Sequence, residues 1–285
     1  MLLALALWIR VLANPLANLI QKKLSQSGFS SERINLHTYG LLTMAGISLV
    51  GLSGLPAFNY QLLYYALLTG LFGAFGNLLL LKALEKGELS VLGPINSYKS
   101  IVALVIGIFI LGEIPDWHKL PGVLLIIAGS YFVIDRKEEN FSWKLLGRPD
   151  IKYRIWAMIL TAIEALFLKK LIHLSDVTTA FAIWAAFGFL FVSVHYLFGK
   201  KHEKRAADSS YAYRLVAIAA CIAGMQFATI YIFEKMNVGY ALAIFQLSTL
   251  VSVLLGFWYF GEKDLFKKLL GSVIMIVGTL IILLL

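Results

Sequence analysis

The chain has 285 residues, of which 60% are apolar and only 14% charged, with a mean hydropathy of +0.81; a soluble domain carries about 25% charged residues, so this composition excludes one. The formal charge of +9 does not point to nucleic acid, because the Lys and Arg residues lie between apolar segments and form no interleaved basic and aromatic surface. A single cysteine, Cys221, allows no intramolecular disulfide and no cysteine metal site.

Long apolar runs recur along the whole chain, the pattern of helices that cross about 30 Å of hydrocarbon. The first, residues 2–20, is too long for a cleaved signal peptide and carries Arg10, Asn14 and Pro15, so it reads as a retained helix. The spans that follow are predicted at 38–55, 60–81, 89–111, 120–134, 155–172, 177–198, 215–233, 238–260 and 269–284, ten with the first. A Gly54-Leu55-Pro56 break separates the second from the third, and Gly93-Pro94 is expected to kink the fourth. The most polar connector, 135–154, divides the chain into two halves of five spans, 1–134 and 155–285.

The halves repeat each other. Glu85, Lys86, Gly107, Gly112, Glu113, Lys119, Gly122 and Gly129 each recur 149 positions later as Glu234, Lys235, Gly256, Gly261, Glu262, Lys268, Gly271 and Gly278. Leucine-rich segments match by chance, but eight polar and glycine positions in register do not. Lys22-Lys23-Leu24 recurs as Lys169-Lys170-Leu171 at an offset of 147. An odd number of crossings per copy forces the second copy to enter the membrane from the opposite side. The expected fold is therefore an all-α integral membrane protein of ten transmembrane helices, two inverted five-helix repeats around a central cavity. The glycine pairs Gly122/Gly129 and Gly271/Gly278, with Gly70, Gly73 and Gly76, suit close approach of helix backbones. Gly112-Glu113 and Gly261-Glu262 suit a helix end followed by a capping carboxylate.

Orientation follows from the basic residues, because loops rich in Lys and Arg stay in the cytoplasm. The odd-numbered loops hold 19 Lys and Arg, Arg154 among them, and the even-numbered ones with their span ends hold 4, including Lys169. Both termini are thus expected outside.

Three charges fall inside predicted spans: Arg10 in the first, Lys99 near the middle of the fourth and Glu164 near the middle of the sixth. Each costs roughly 2.5–3.5 kcal/mol at a helix centre, a cost that calls for a partner or a role. Polar neighbours share their helix faces: Asn14, Asn18 and Gln21 with Arg10, Asn96 and Ser100 with Lys99, and Gln246, Thr249, Ser252 and Gly256 on the ninth span. Asn77 and Gln226 coincide under the 149 offset. Lipid cannot satisfy such groups, so Arg10, Asn14, Asn18, Asn77, Asn96, Lys99, Glu164, Gln226 and Gln246 are the candidate substrate-binding residues, facing a shared cavity. The bland alternative is interhelical hydrogen bonding, for about 0.6 kcal/mol per contact.

The run Leu111-Gly112-Glu113, Lys119-Leu120-Pro121-Gly122 and Ile127-Ala128-Gly129, its second copy Phe260-Gly261-Glu262, Leu269-Leu270-Gly271 and Val277-Gly278, and the preceding Lys82-Ala83-Leu84-Glu85-Lys86 resemble the EamA domain of the drug/metabolite transporter superfamily. The resemblance covers two tandem domains and implies a ten-helix carrier with a central cavity for small metabolites or drugs. It implies no single substrate, because the shared motifs are scaffold residues.

The expected function is secondary transport of a small metabolite, an amino acid or similar amphiphile or organic anion, across the plasma membrane by alternating access. No G-x-x-x-x-G-K-[ST] stretch is present, so ATP is not the expected energy source. Arg10 and Lys99 would meet an anionic group, and Glu164 an amine, Lys99 or a proton. The expected partners are the lipid bilayer, the small-molecule substrate and a candidate coupling proton, with no cofactor, no metal and no nucleic acid, as monomer or homodimer. Flipping of a lipid-linked headgroup is the alternative within transport; a non-transporting scaffold is the alternative outside it. An intramembrane enzyme lacks support, since the sequence holds neither H-E-x-x-H nor G-x-S-x-G.

Overall fold

Helices begin and end where the sequence supplies caps. Pro149 opens one helix in its first turn, where the missing N–H costs nothing. Asp176 opens the next, its side chain accepting from the Thr178 and Thr179 amides at 2.8 and 3.1 Å. Asn237 does the same for Gly239 N at 2.9 Å. Gly112 closes a helix at φ +68°, a left-handed conformation that favours glycine.

The structure is a computed structural model, which describes residues 1–53, 59–86, 92, 95–96, 98–133, 147–199, 209–248, 250–251, 255 and 265–285. Its regular structure, among the described residues, is helical: α1 (Leu2–Gln26), α2 (Ser31–Ser53), α3 (Tyr60–Lys86), α4 (Lys99–Leu111), α5 (Leu120–Val133), α6 (Pro149–His173), α7 (Val177–Phe198), α8 (Ser209–Lys235), α9 (Val238–Ile244) and α10 (Leu265–Leu284), with a 3₁₀ turn at Phe245–Leu247. The expected breaks at Gly54-Leu55-Pro56 and Gly93-Pro94, the turn Gly261-Glu262, the stripe positions Thr249, Ser252 and Gly256, and positions 135–146 of the connector lie outside the described residues.

Only α7 has the predicted bounds. The second helix starts at Ser31 rather than 38, and α8 at Ser209 rather than 215. The sixth starts at Pro149 rather than 155, so the last residues of the polar connector are helical. Backbone hydrogen bonding does not stop where hydropathy falls, and polar turns extend these helices past their apolar stretch. Four described helices are long and apolar enough to cross a bilayer: Leu2–Gln26, Tyr60–Glu85, Val177–Phe198 and Ser210–Lys235. Shorter apolar helices cover Lys99–Leu111, Leu120–Ser130, Val238–Leu247 and Val273–Leu284.

The main packing pairs are α1 with α8, α3 with α6 and α7, α2 with α7 and α8, α4 with α9 and α6, and α5 with α10. Exchanging each helix with the one five places along turns α1–α8 into α3–α6 and α2–α8 into α3–α7. The same exchange leaves α2–α7, α4–α9 and α5–α10 as they are. The α5–α10 contact runs backbone to backbone: a Cβ at Gly122 would lie 2.6 Å from the Gly278 carbonyl oxygen, and one at Gly278 just as close to that of Gly122. A Cβ at Gly129 would lie 2.7 Å from the Gly271 oxygen. One core of buried apolar side chains, centred on Phe181, Phe233, Leu81 and Leu166, joins α1–α3 to α6–α8. A second, around Ile126, Met275 and Ile244, joins α4, α5, α9 and α10. Large apolar side chains such as Trp8, Ile47, Phe109, Trp156 and Leu197 face outward, a surface suited to hydrocarbon.

Candidate functional site

A cavity lies between the halves, with about 140 Å³ open to the centres of water molecules. Since one water needs roughly 10–15 Å³ by that measure, it holds on the order of ten. All nine residues picked from the sequence, Arg10, Asn14, Asn18, Asn77, Asn96, Lys99, Glu164, Gln226 and Gln246, line it. Gln21, on the same stripe of α1, does not; it is buried elsewhere.

From α1, Arg10 lays its guanidinium over the Phe245 ring, 4.5 Å from the centroid. That stack uses the π face and none of the N–H groups, and its buried Nε and Nη1 meet no acceptor among the described residues. One turn on, Asn14 donates to Ser248 Oγ at 3.2 Å. From α3, Asn77 donates to Asn35 Oδ1 at 2.6 Å, and Asn35 in turn to the Ala74 carbonyl at 3.2 Å.

At the cavity the described residues of the fourth and ninth spans depart from regular α-helix at Tyr98 and at Phe245–Leu247. In place of an unbroken helix over 89–111, a turn at Tyr98 precedes α4, so Lys99 stands in a first helical turn rather than mid-helix. The ninth span passes from α9 into the 3₁₀ turn Phe245–Leu247, which is positions 96–98 of the first half shifted by 149. Asn96 and Gln246 face each other across these interruptions. Asn96 Nδ2 donates to Gln246 Oε1 at 3.4 Å, and Gln246 Nε2 to the Asn96 carbonyl at 3.3 Å.

Glu164, on α6, accepts from Trp184 Nε1 at 2.6 Å. It comes this close because Gly73 of α3 has no side chain: a Cβ there would lie 2.6 Å from Glu164 Oε1. Tyr39 packs against Trp184, ring centroids 5.3 Å apart. Glu164 and Lys99 act on each other electrostatically, and Arg10 and Arg154 add to the field at Lys99.

Several lining residues escaped the sequence reading. The nine candidates lie on the first, third, fourth, sixth, eighth and ninth spans, yet α2 adds Thr38, Tyr39 and Leu42 to the walls, and α7 adds Trp184. Arg154, counted above as a cytoplasmic loop residue, lies within α6 and lines the cavity, its Nε donating to the Leu92 carbonyl at 3.1 Å. Lys169, also counted as a loop signal, is buried. Its ammonium pairs with Glu113 Oε1 at 2.5 Å and donates to the Met236 carbonyl at 2.9 Å. Glu113 Oε2 accepts from Val238 N at 3.3 Å. The turn glutamate thus caps α9 of the other half, not the following α5.

The walls are unlike across the halves. Ser248 stands 149 positions after Lys99, and Ala17 stands 147 before Glu164.

Twenty-nine chains of solved structures match this fold. One, a crystal structure, has a TM-score of 0.70 over 97% of this chain and 96% of that one, at 15% identity, a likeness of fold alone. No curated protein matches the sequence. The family model described as EamA-like transporter family matches twice, at residues 5–135 and 151–284. With nearly the whole chain taken up by the two matches, this multi-pass membrane protein belongs to the EamA-like transporter family.

Proposed function

We propose that the protein is a secondary transporter of the plasma membrane, built as two inverted five-helix repeats that rock about the central cavity. It moves a small metabolite, an amino acid or an organic anion, by alternating access. The observation that carries this reading is the convergence of charged and amide side chains from both halves on one cavity of about 140 Å³. A non-transporting scaffold would pack those faces dry, since unpaired polar groups cost least when they satisfy one another. The exchange symmetry of the helix pairs supports an inverted repeat, and a site at the interface of two such repeats is where carriers of this architecture bind their cargo. Arg10, Lys99 and the amide residues contact the substrate, and Glu164 serves the substrate or a coupling proton.

The experiment is uptake into proteoliposomes by the purified full chain. Lys99→Ala and Glu164→Gln are each expected to cut transport at least tenfold without loss of the folded protein. If both variants transport like the parent, the site assignment is wrong.

A further inference from the structure

The charges around the cavity do not balance. Arg10, Lys99 and Arg154 face it as cations, and Glu164 is the carboxylate among its described lining residues. No cation nitrogen lies within 4.0 Å of the Glu164 oxygens among the described residues, so no ion pair cancels it locally. Arg10 has two buried nitrogens without an acceptor. Among the described residues Arg154 bonds through its Nε alone, to the Leu92 carbonyl. The Lys99 ammonium makes no hydrogen bond to the described residues. Among the described lining residues three cations stand against one carboxylate, an excess of two positive charges in surroundings where uncompensated charge is costly.

From this we propose that the cavity takes a dianion: a small dicarboxylate or phosphomonoester, whose two negative charges complete the site. Guanidinium groups match carboxylate and phosphate oxygens in geometry as well as charge. A zwitterionic amino acid leaves the excess untouched, and a monoanion halves it. Arg154 decides the matter, because without it the count is two cations against one carboxylate and a monoanion suffices. A doubly charged lipid headgroup shares this chemistry with a soluble dianion. The inference rests on the transport reading for its biological sense, yet binding alone tests it.

The test is thermal unfolding of the purified full chain in phosphatidylcholine nanodiscs, at about pH 8, where a phosphomonoester is doubly charged. The probes are succinate, glycerol phosphate, acetate, glycine and choline at matched ionic strength. Succinate or glycerol phosphate is expected to raise the melting temperature saturably, as a ligand of the folded state does, and acetate, glycine and choline are not. Arg154→Gln is expected to weaken that binding at least tenfold, Arg154→Lys to retain most of it, and Lys152→Gln, which removes an exposed charge on the same helix, to leave it unchanged. Should Arg154→Gln fail to fold for want of its Leu92 contact, Lys99→Gln reads the same loss of charge. Stabilisation by phosphatidate in the nanodisc but not by the soluble dianions keeps the charge assignment and names lipid as the source. Glycine or choline stabilising as well as the dianions overturns the proposal. So does a dianion effect that never saturates and is equal in parent and variants, the mark of general salt action. Uptake of a zwitterion without dianion binding sinks this inference and leaves the transport reading intact. Dianion binding without uptake of any probe does the reverse.

Discussion

Gly73 determines where the Glu164 carboxylate can lie. A methyl group there would stand 2.6 Å from Oε1 and 3.1 Å from Trp184 Nε1, so Gly73→Ala must push the carboxylate off its donor. We expect the variant to fold with a loss of about 1–3 kcal/mol, the usual effect of depriving a buried group of its partner. Transport should fall at least tenfold; thermal unfolding and proteoliposome uptake measure the two effects, and parent-like uptake would show that the carboxylate needs no fixed position. The nine polar residues of the cavity were legible because a charge or amide inside an apolar run is a clean signal in hydrocarbon. Arg154 was not, since it sits in a polar stretch where hydropathy reads as loop and only the helix start at Pro149 turns it inward. Trp184 hid for the opposite reason: it reads as an apolar residue, and its one N–H shows no periodicity.

Helix ends and helix pairs carry the next level of specification. Removing one partner of a buried ion pair costs about 3–5 kcal/mol, more than replacing both by apolar groups. Glu113→Leu and Lys169→Met are therefore each expected to destabilise the protein strongly, with the double variant more stable than either single one. Denaturation of the four proteins in a double-mutant cycle reads the coupling; additive losses would mean the two side chains act independently. Asp176 gives an end of α7 its own pH dependence. Partial burial pushes its carboxyl up, but hydrogen bonds from the Thr179 hydroxyl and from the Thr179 and Thr178 amides outweigh that and hold it below the usual carboxylate range. A carboxyl lowered on folding contributes stability above its unfolded pKa and loses it as pH falls through the folded value. The melting temperature should thus drop on acidification below the ordinary Asp range, and Asp176→Asn should flatten that drop. An equal slope in the variant would assign the acid sensitivity elsewhere. The sequence announced the Gly112 turn and the α5–α10 glycines by their spacing. It did not announce that Glu113 would reach across to α9, because that contact depends on how the halves pack, which no local pattern encodes.

At the scale of the molecule, orientation becomes easier to argue once side chains are placed. Taking Arg154 into the cavity and Lys169 into its ion pair leaves 18 basic residues in the odd-numbered loops against 3 in the even ones, a stronger bias than the raw count. A C-terminal alkaline phosphatase fusion is expected to be active and a green fluorescent protein fusion dark; the reverse pattern would place the C-terminus in the cytoplasm. The repeat itself was legible from eight positions in register, whereas the turns at Tyr98 and Phe245–Leu247 were not: the kink expected in the fourth span lay at Gly93-Pro94, and the ninth read as an unbroken apolar run. The mismatch of Lys99 with Ser248, and of Glu164 with Ala17, has a bearing on energy. In a carrier of two identical inverted halves, the inward-facing and outward-facing forms would be the same structure turned over, equally stable and equally populated. Unlike walls remove that degeneracy. On the alternating-access reading proposed above, even the empty carrier rests preferentially toward one side of the membrane, and its cargo binds with different strength from each.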